Sequence, residues 1–281
     1  MKSKRKKIAV LGGAGLIGSY LVEHLVKKGH NVVVIDDFSK GKISNLYNVK
    51  NDIEIRNINL ETKKNLHIAI KDCTIFFHLA SKAYGIGYSK KNNKEIFSHN
   101  EKITNNIISS LDKLKINYFQ CVSSSCVYDD EGPNKIREEI EPIGNPEKAN
   151  LGYGLAKRLL ERKLKAMSQI LKFPLTIVRP FNIYGERYNW LGEYSQAIPM
   201  LVKKVMESKK NIEIWGTGKQ RRNYIHAKDC AEIMYLIFKK KFTKSPVNIG
   251  YENTTSLKNL VKKICIVAEK NPKFIFNTKK P

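Results

Sequence analysis

Tyr153 and Lys157 stand four residues apart in a stretch with helical periodicity, Leu151–Leu171, so both point from one helix face. A phenol, with an ordinary pKa of about 10, is a poor base at neutral pH, and an adjoining ammonium favours its phenolate. Ser123-Ser124-Ser125-Cys126-Val127-Tyr128 closes an apolar run and brings hydroxyls to the edge of a sheet. A serine there would hold a reacting alcohol while the tyrosine takes its proton. A Tyr-x-x-x-Lys spacing alone is common by chance, and an exposed tyrosine beside a helical lysine is its plain alternative. A second motif makes the combination specific.

That motif is Gly12-Gly13-Ala14-Gly15-Leu16-Ile17-Gly18, which follows the first predicted strand and opens the first predicted helix. Glycines at 12, 15 and 18 permit a tight turn and let a pyrophosphate approach the N–H groups of a helix start, where the dipole favours negative charge. The next strand ends at Asp36-Asp37, where a carboxylate accepts both ribose hydroxyls of an adenosine and repels a 2′-phosphate. The implied cofactor is NAD rather than NADP. Its positively charged nicotinamide would add to the ammonium in favouring the Tyr153 phenolate.

Positioning these residues requires a parallel sheet covered by helices. Short β-branched runs alternate with longer amphipathic stretches, as in α/β folds. Strands are predicted at Lys7–Leu11, Asn31–Ile35, Ile53–Asn57, Thr74–Leu79, Asn117–Val122 and Leu175–Arg179. Helices are predicted at Gly15–Lys28, Lys94–Lys113, Leu151–Leu171, Ile198–Ser208, Ala227–Lys240 and Ser256–Glu269. The expected fold class is a Rossmann-type doubly wound parallel sheet, over 1–179 with later returns near 222–250. After Arg179 the chain becomes rich in glycine and aromatics, and 180–281 is expected to form a smaller C-terminal substrate-binding lobe.

Composition narrows the class. The 281 residues are 42% hydrophobic and 27% charged, which excludes a disordered chain or a small disulfide scaffold. Apolar runs are far shorter than the ~20 residues of a membrane span, and no signal-peptide pattern follows the basic start. Five cysteines without CxxC spacing suggest neither a disulfide framework nor a metal site, and a reducing cytoplasm is expected. The net charge of +25 raises a nucleic-acid partner. The lysines are spread along the whole chain, however, and read better as solvated helix faces.

The GxxGxxG spacing begins a family resemblance. The sequence resembles the extended short-chain dehydrogenase/reductases, in their nucleotide-sugar epimerase and dehydratase branch. Val32–Leu46, with Asp36-Asp37-Phe38-Ser39-Lys40-Gly41, is similar to the corresponding stretch of UDP-glucose 4-epimerases, and His78-Leu79-Ala80-Ser81 to a segment lying along the cofactor. The resemblance implies cofactor contacts from Leu79, Ala80, Ser81, Lys82 and Pro180, and adenine contacts from Asn59 and Leu60. It makes Ser124 the triad serine. Cys126 matches a catalytic cysteine of GDP-mannose 3,5-epimerases and GDP-fucose synthases, while also suiting a small buried hydrophobe. Ser125 stands where dehydratases carry an acid, which disfavours dehydration.

Arg179-Pro180-Phe181-Asn182-Ile183-Tyr184-Gly185 resembles the segment entering the substrate loops, with Asn182 at a diphosphate-binding position. Gly192-Glu193-Tyr194 and Ile198-Pro199 resemble the closure over the nucleotide, and Leu191 stands near a place where 3,5-epimerases carry a second acid. In Trp215-Gly216-Thr217-Gly218 with Gln220 and Arg222, the resemblance puts Trp215 by the base and Arg222 on the diphosphate. It covers nearly everything from Lys7 to Pro281, and relatives continue further to finish the substrate lobe, so a shortened lobe is expected. Pairing of the helices at Lys94–Lys113 and Leu151–Leu171 into a homodimer is also implied. The expected function is NAD-dependent epimerisation of a nucleotide-diphosphate sugar through a transient 4-keto intermediate. A net nucleotide-sugar ketoreductase and a non-catalytic dinucleotide-sensing or nucleic-acid-binding protein are the alternatives.

Overall fold

The computed structural model describes residues 6–130, 132, 136–188, 195–243 and 246–279. Its first six strands are β1 (Lys7–Leu11), β2 (Asn31–Asp36), β3 (Ile53–Asn57), β4 (Cys73–His78), β5 (Tyr118–Val122) and β6 (Leu175–Pro180). Short strands β7 (Ile183–Tyr184), β8 (Asn211–Trp215), β9 (Arg221–Arg222) and β10 (Ile225–His226) follow, then β11 (Val247–Ile249), β12 (Thr255–Ser256) and β13 (Lys273–Asn277). The helices are α1 (Leu16–Lys27), α2 (Leu66–Ile70), α3 (Ile86–Ser89), α4 (Asn93–Ile108), α5 (Leu151–Leu171), α6 (Ala197–Glu207), α7 (Ala227–Lys239) and α8 (Leu257–Val267).

Seven strands form one sheet in the order β11-β6-β5-β4-β1-β2-β3, every pair parallel. This is the Rossmann-type sheet expected, and β11 is its return from the C-terminal part of the chain. Side chains along a strand alternate between faces, and both faces are covered here. Ile8, Val10, Val32 and Val34 pack with Leu21, Val22 and Leu25 of α1 and Cys230 and Met234 of α7. Ala9, Leu11, Val33 and Ile35 pack with Ile103 and Ile107 of α4 and Leu160 and Leu164 of α5. That double burial is why these strands read as continuous apolar runs. Losing a buried leucine side chain from such a core typically costs about 2–5 kcal/mol.

A third cluster, made by Leu201, Val205, Ile212, Ile214, Val261 and Cys265, lies apart from the main sheet. It joins α6 and α8 to the parallel pair β8–β13. Neither β8 nor β13 was predicted from sequence. Each is short with a mixed polar face, and the partners lie about sixty residues apart.

Two boundaries differ instructively. The helix predicted over Lys94–Lys113 ends at Ile108, and a separate 3-10 turn covers Leu111–Lys113. Ser109 and Ser110 both turn their hydroxyls back to the Asn106 carbonyl at 3.0 Å, which competes with helix continuation. The strand predicted over Thr74–Leu79 runs instead over Cys73–His78, freeing Leu79 to lead the loop beside the glycine turn. Gly192-Glu193-Tyr194 and Leu191 lie outside the described residues.

Candidate active site

The glycine turn sits where β1 ends, at the C-terminal edge of the parallel sheet, the usual place for a ligand crevice in such folds. Gly12 adopts φ +83°, and a Cβ on it would lie 2.7 Å from the Ala80 backbone nitrogen. A Cβ on Gly18 would lie 2.2 Å from the Gly12 carbonyl oxygen. These two glycines are therefore demanded by the turn itself. At Gly15, which precedes α1, the nearest such contact is 3.3 Å, again to the Gly12 carbonyl oxygen, a tight fit that is less severe than at Gly18.

Asp36, at the end of β2, has a role that sequence reasoning missed. Its Oδ2 accepts the Ala14 N–H at 2.9 Å and its Oδ1 the Phe38 N–H at 2.9 Å, fastening the glycine turn to the loop after β2. Burial pushes its carboxyl above the usual range, and the two backbone donors oppose this. Each oxygen keeps a second acceptor site, so the ribose contact expected of it remains chemically open. Asp37 turns its Oδ1 to the N–H and hydroxyl of Ser39. Asn59 spends its Oδ1 on the Glu61 N–H at 2.8 Å, and the buried Leu60 carbonyl accepts from Asn106 at 2.8 Å.

The segment after β4 links cofactor and reaction residues. Leu79 N–H donates to the Leu11 carbonyl at 2.8 Å, Ala80 closes on Gly12, and the Ser81 hydroxyl meets the Tyr153 phenol. Lys82 reaches Ser39 Oγ at 2.9 Å and Glu61 at 3.8 Å. Its backbone N–H and C=O are both held by the buried Asn100 side chain at 3.0 Å. Asn100 is a further site residue that sequence reasoning missed. A polar residue on the apolar face of α4 was the signal available.

Tyr153 projects from α5, its phenol also meeting the Ser124 hydroxyl, with Lys157 Nζ 5.6 Å from its ring centroid. Lys157 is only 2% exposed and donates to the Val122 carbonyl at 2.8 Å. Against the charges expected to favour its phenolate, burial raises the Tyr153 pKa above its ordinary value, and neighbouring Cys126 adds to this. Burial likewise lowers Lys157. The phenol is thus neutral in this state, and the positive nicotinamide is needed to lower it. His78, 1% exposed, is pushed down to about 3 by burial and then by Lys157, so it stays neutral.

The turn Ser125–Val127 is capped by Ser124, whose Oγ accepts the Cys126 N–H at 3.2 Å. Burial raises the Cys126 thiol, so it is protonated near neutrality. Helix α5 holds both ends of this turn. Lys157 grips Val122 before it, and Arg158 Nε donates to the Val127 carbonyl at 2.7 Å after it. Gly154 is what allows this approach, since a Cβ there would lie 2.5 Å from the Cys126 carbonyl oxygen. Further out, Glu161 takes a two-pronged ion pair from Arg179 at 2.9 and 2.7 Å, and Arg179 Nη1 donates to the Tyr128 hydroxyl at 2.9 Å. No role was predicted for Arg158, Glu161 or Arg179. Their partners are distant in sequence, so spacing gave no signal.

The expected substrate residues are more dispersed. Pro180 is buried at the end of β6 and pairs with Ile249. Asn182, at φ 32°, donates to Asn223 at 3.3 Å. Arg222 is exposed, and its charge reaches the Cys126 thiol. Trp215 and Ile198 lie on β8 and α6, in the separate two-stranded unit, with Lys204 Nζ 5.1 Å from the Trp215 ring centroid. Thus the structure brings the glycine turn, 79–82, Ser124, Tyr153 and Lys157 into one contact network, with Arg222 near Cys126.

The donor set fits a dinucleotide: a glycine turn at a helix start that admits no side chain at Gly12 or Gly18, and the ammonium groups of Lys82 and Lys157 close enough to Lys40 to depress it. No cluster of His, Cys, Asp and Glu suited to a metal exists among the described residues. Residues 8–250 match the NAD dependent epimerase/dehydratase family, and the chain belongs to that family. It is therefore an NAD-dependent enzyme of epimerase/dehydratase type. The chain is 30% identical over 271 residues to the UDP-N-acetyl-alpha-D-glucosaminuronate decarboxylase of Bacillus cytotoxicus, covering 96% of this chain and 83% of that protein. It is 26% identical to the GDP-mannose 3,5-epimerase of Arabidopsis thaliana, covering 95% and 71% respectively. Among solved structures it is similar to the UDP-glucuronic acid 4-epimerase of Bacillus cereus, at 24% identity and a TM-score of 0.82, covering 98% of this chain and 87% of that one.

Proposed function

We propose that this enzyme epimerises a nucleotide-diphosphate sugar through a transient 4-keto sugar. The observation that carries this reading is Tyr153 and Lys157 on one face of α5, Lys157 Nζ 5.6 Å from the phenol ring centroid, with Ser81 and Ser124 near enough to influence the phenol and Ala80 closing on the glycine turn. Bound NAD supplies an acceptor for the sugar's C4 hydride and returns it, so no net oxidation results. Tyr153 takes the proton of the 4-hydroxyl, and Ser124 holds that hydroxyl within reach. Lys157, with the charge of the cofactor, lowers the phenol so that it can act. Return of hydride to the opposite face of the ketone, with Tyr153 giving the proton back, inverts C4. Gly12, Gly15, Leu16, Ile17, Gly18, Asp36, Asp37, Asn59, Leu60, Leu79, Ala80, Ser81, Lys82 and Pro180 line the cofactor side of this reading. Asn182, Ile198, Trp215 and Arg222, within 180–281, take the nucleotide diphosphate.

Cys126 adds a branch. A Cys126 thiolate beside a ketone would take the acidified proton at C3 or C5 and, as the thiol, return one; burial opposes that thiolate and the charge of Arg222 favours it. Incubation with UDP-, GDP- and dTDP-sugars, followed by NMR of the product in deuterated water, separates the outcomes. Inversion at C4 without deuterium is the expected result, and deuterium at C3 or C5 assigns Cys126 to the chemistry. Net consumption of NADH measured by its absorbance would replace epimerisation with ketoreduction.

The glucosaminuronate decarboxylase relative favours one second reading. A uronate oxidised at C4 is a β-keto acid and loses carbon dioxide without a further acid. Release of carbon dioxide from a nucleotide-linked uronate would select it. The helix pair α4–α5 as a homodimer face belongs to the same proposal and is checked by light scattering. So does a reducing cytoplasmic setting, in keeping with free Cys73, Cys121, Cys126, Cys230 and Cys265. No helix among the described residues is long and apolar enough to cross a membrane.

A further inference from the structure

We infer that Lys40 binds the cofactor's pyrophosphate, as a cation strapped across the dinucleotide groove between the loops that follow β2 and β4. The inference rests on the dinucleotide lying over the glycine turn, as argued above. Gly41 packs against that turn so closely that a Cβ on it would sit 2.8 Å from the Ala14 Cβ. Lys40 is thereby carried over the turn. Its side chain crosses to the other wall, where Nζ donates to the Ala83 carbonyl and lies 4.6 Å from the Tyr84 ring centroid. Ala80, on that same wall, closes on Gly12. One lysine therefore joins the two sides of the groove above the glycines.

The charges around Lys40 are unbalanced. Lys82 and Lys157 face it with like charge. Lys82 is answered by Glu61 at 3.8 Å. The acids on the loop of Lys40 are already engaged, Asp36 by the Ala14 and Phe38 N–H groups and Asp37 by Ser39. Among the described residues Lys40 forms no ion pair; a carbonyl and an aromatic ring are its partners. A half-buried cation among cations is costly until an anion completes it, and a pyrophosphate carries two negative charges.

This arrangement couples cofactor binding to a proton. Burial, and then the charges of Lys82 and Lys157, push Lys40 down to about 8. In the free protein its charge is full below that pH and is lost above it, whereas a bound dianion retains the proton. Binding therefore takes up a proton on the alkaline side, and affinity falls there by up to about tenfold per pH unit.

The test is calorimetric titration of cofactor-stripped protein with NAD, ADP-ribose and adenosine, from about pH 7 to about pH 10. Lys40→Met is expected to weaken NAD and ADP-ribose by about 10–100-fold near neutrality while leaving adenosine unchanged. Lys40→Arg keeps its charge throughout, so it should bind like the wild type near neutrality and show a shallower alkaline decline. Titration of Lys157 is common to all three proteins and cancels in the comparison. Unchanged NAD affinity in Lys40→Met, equal loss for adenosine, or the same alkaline decline in Lys40→Arg would each overturn the inference. Failure of the wild type to bind NAD at any pH would instead overturn the placement of the dinucleotide.

Discussion

The cofactor side and the substrate side of this molecule are built on opposite plans. On the proposed cofactor side the polar groups are buried or half-buried and each is held by the backbone: Asp36 by Ala14 and Phe38, Lys157 by Val122, Ser124 by Cys126. On the substrate side Asn182 and Arg222 are exposed and rest on short two-stranded pairings, β7–β10 and β9–β12. A part that repeats the same hydride transfer every cycle gains from being rigid before anything binds. In the proposed function the exposed part admits and releases a sugar nucleotide, which requires it to be open, and Arg222 would stay solvated until a phosphate meets it.

Five substitutions sharpen or break that contrast. The largest effect should come from Tyr153→Phe, which removes only the phenolic hydroxyl. We expect kcat to fall by about 10²–10⁴-fold with the melting temperature and nucleotide-sugar affinity nearly unchanged. Retained turnover would remove the tyrosine from the mechanism. Next, Arg179→Met leaves Glu161 buried without its partner and should cost about 3–5 kcal/mol, read as a shift in urea midpoint. A loss below 1 kcal/mol, on the order of a surface ion pair, would show that the turn does not depend on this network.

Gly18→Ala forces a methyl group against the Gly12 carbonyl oxygen and should destabilise by about 1–3 kcal/mol, with NAD binding lost in calorimetry. Gly15→Ala, where the contact to the same oxygen is a milder 3.3 Å, should destabilise less than Gly18→Ala while still losing cofactor affinity. Equal damage from both would mean that Gly15 serves the turn as well. The smallest effect falls on the open side. Arg222→Ala should leave stability within about 0.5 kcal/mol and raise KM by about tenfold, without changing kcat. A collapse of kcat instead would give Arg222 a role at the reacting carbon.

The two sides also differ in how far the sequence revealed them. The strands Lys7–Leu11 and Ile53–Asn57 and the helix Leu151–Leu171 have the predicted bounds, because period and apolar runs are local signals. The triad was legible for the same reason, since four residues along a helix fix a common face. The pairing of Asn211–Trp215 with Lys273–Asn277 was not legible, nor was the grip of Arg158 on Val127. Each joins segments that no local pattern connects. The burial of the Tyr153 phenol was not legible either. Residue types supplied the charges that favour a phenolate, and only the folded whole showed the desolvation those charges must overcome.

From residue order alone came the alternation of strand and helix, the glycine turn with its closing carboxylate, and the tyrosine–lysine–serine set. Backbone sterics and helical period act over a few residues and leave their mark in the sequence. Tertiary structure decided which groups lost water and which distant partners answered them: Asp36 on Ala14, Arg179 on Glu161, and Lys40 across the groove beside Lys82 and Lys157. Desolvation and Coulomb energy depend on distance in space, and chain position does not encode that distance until the sheet has closed.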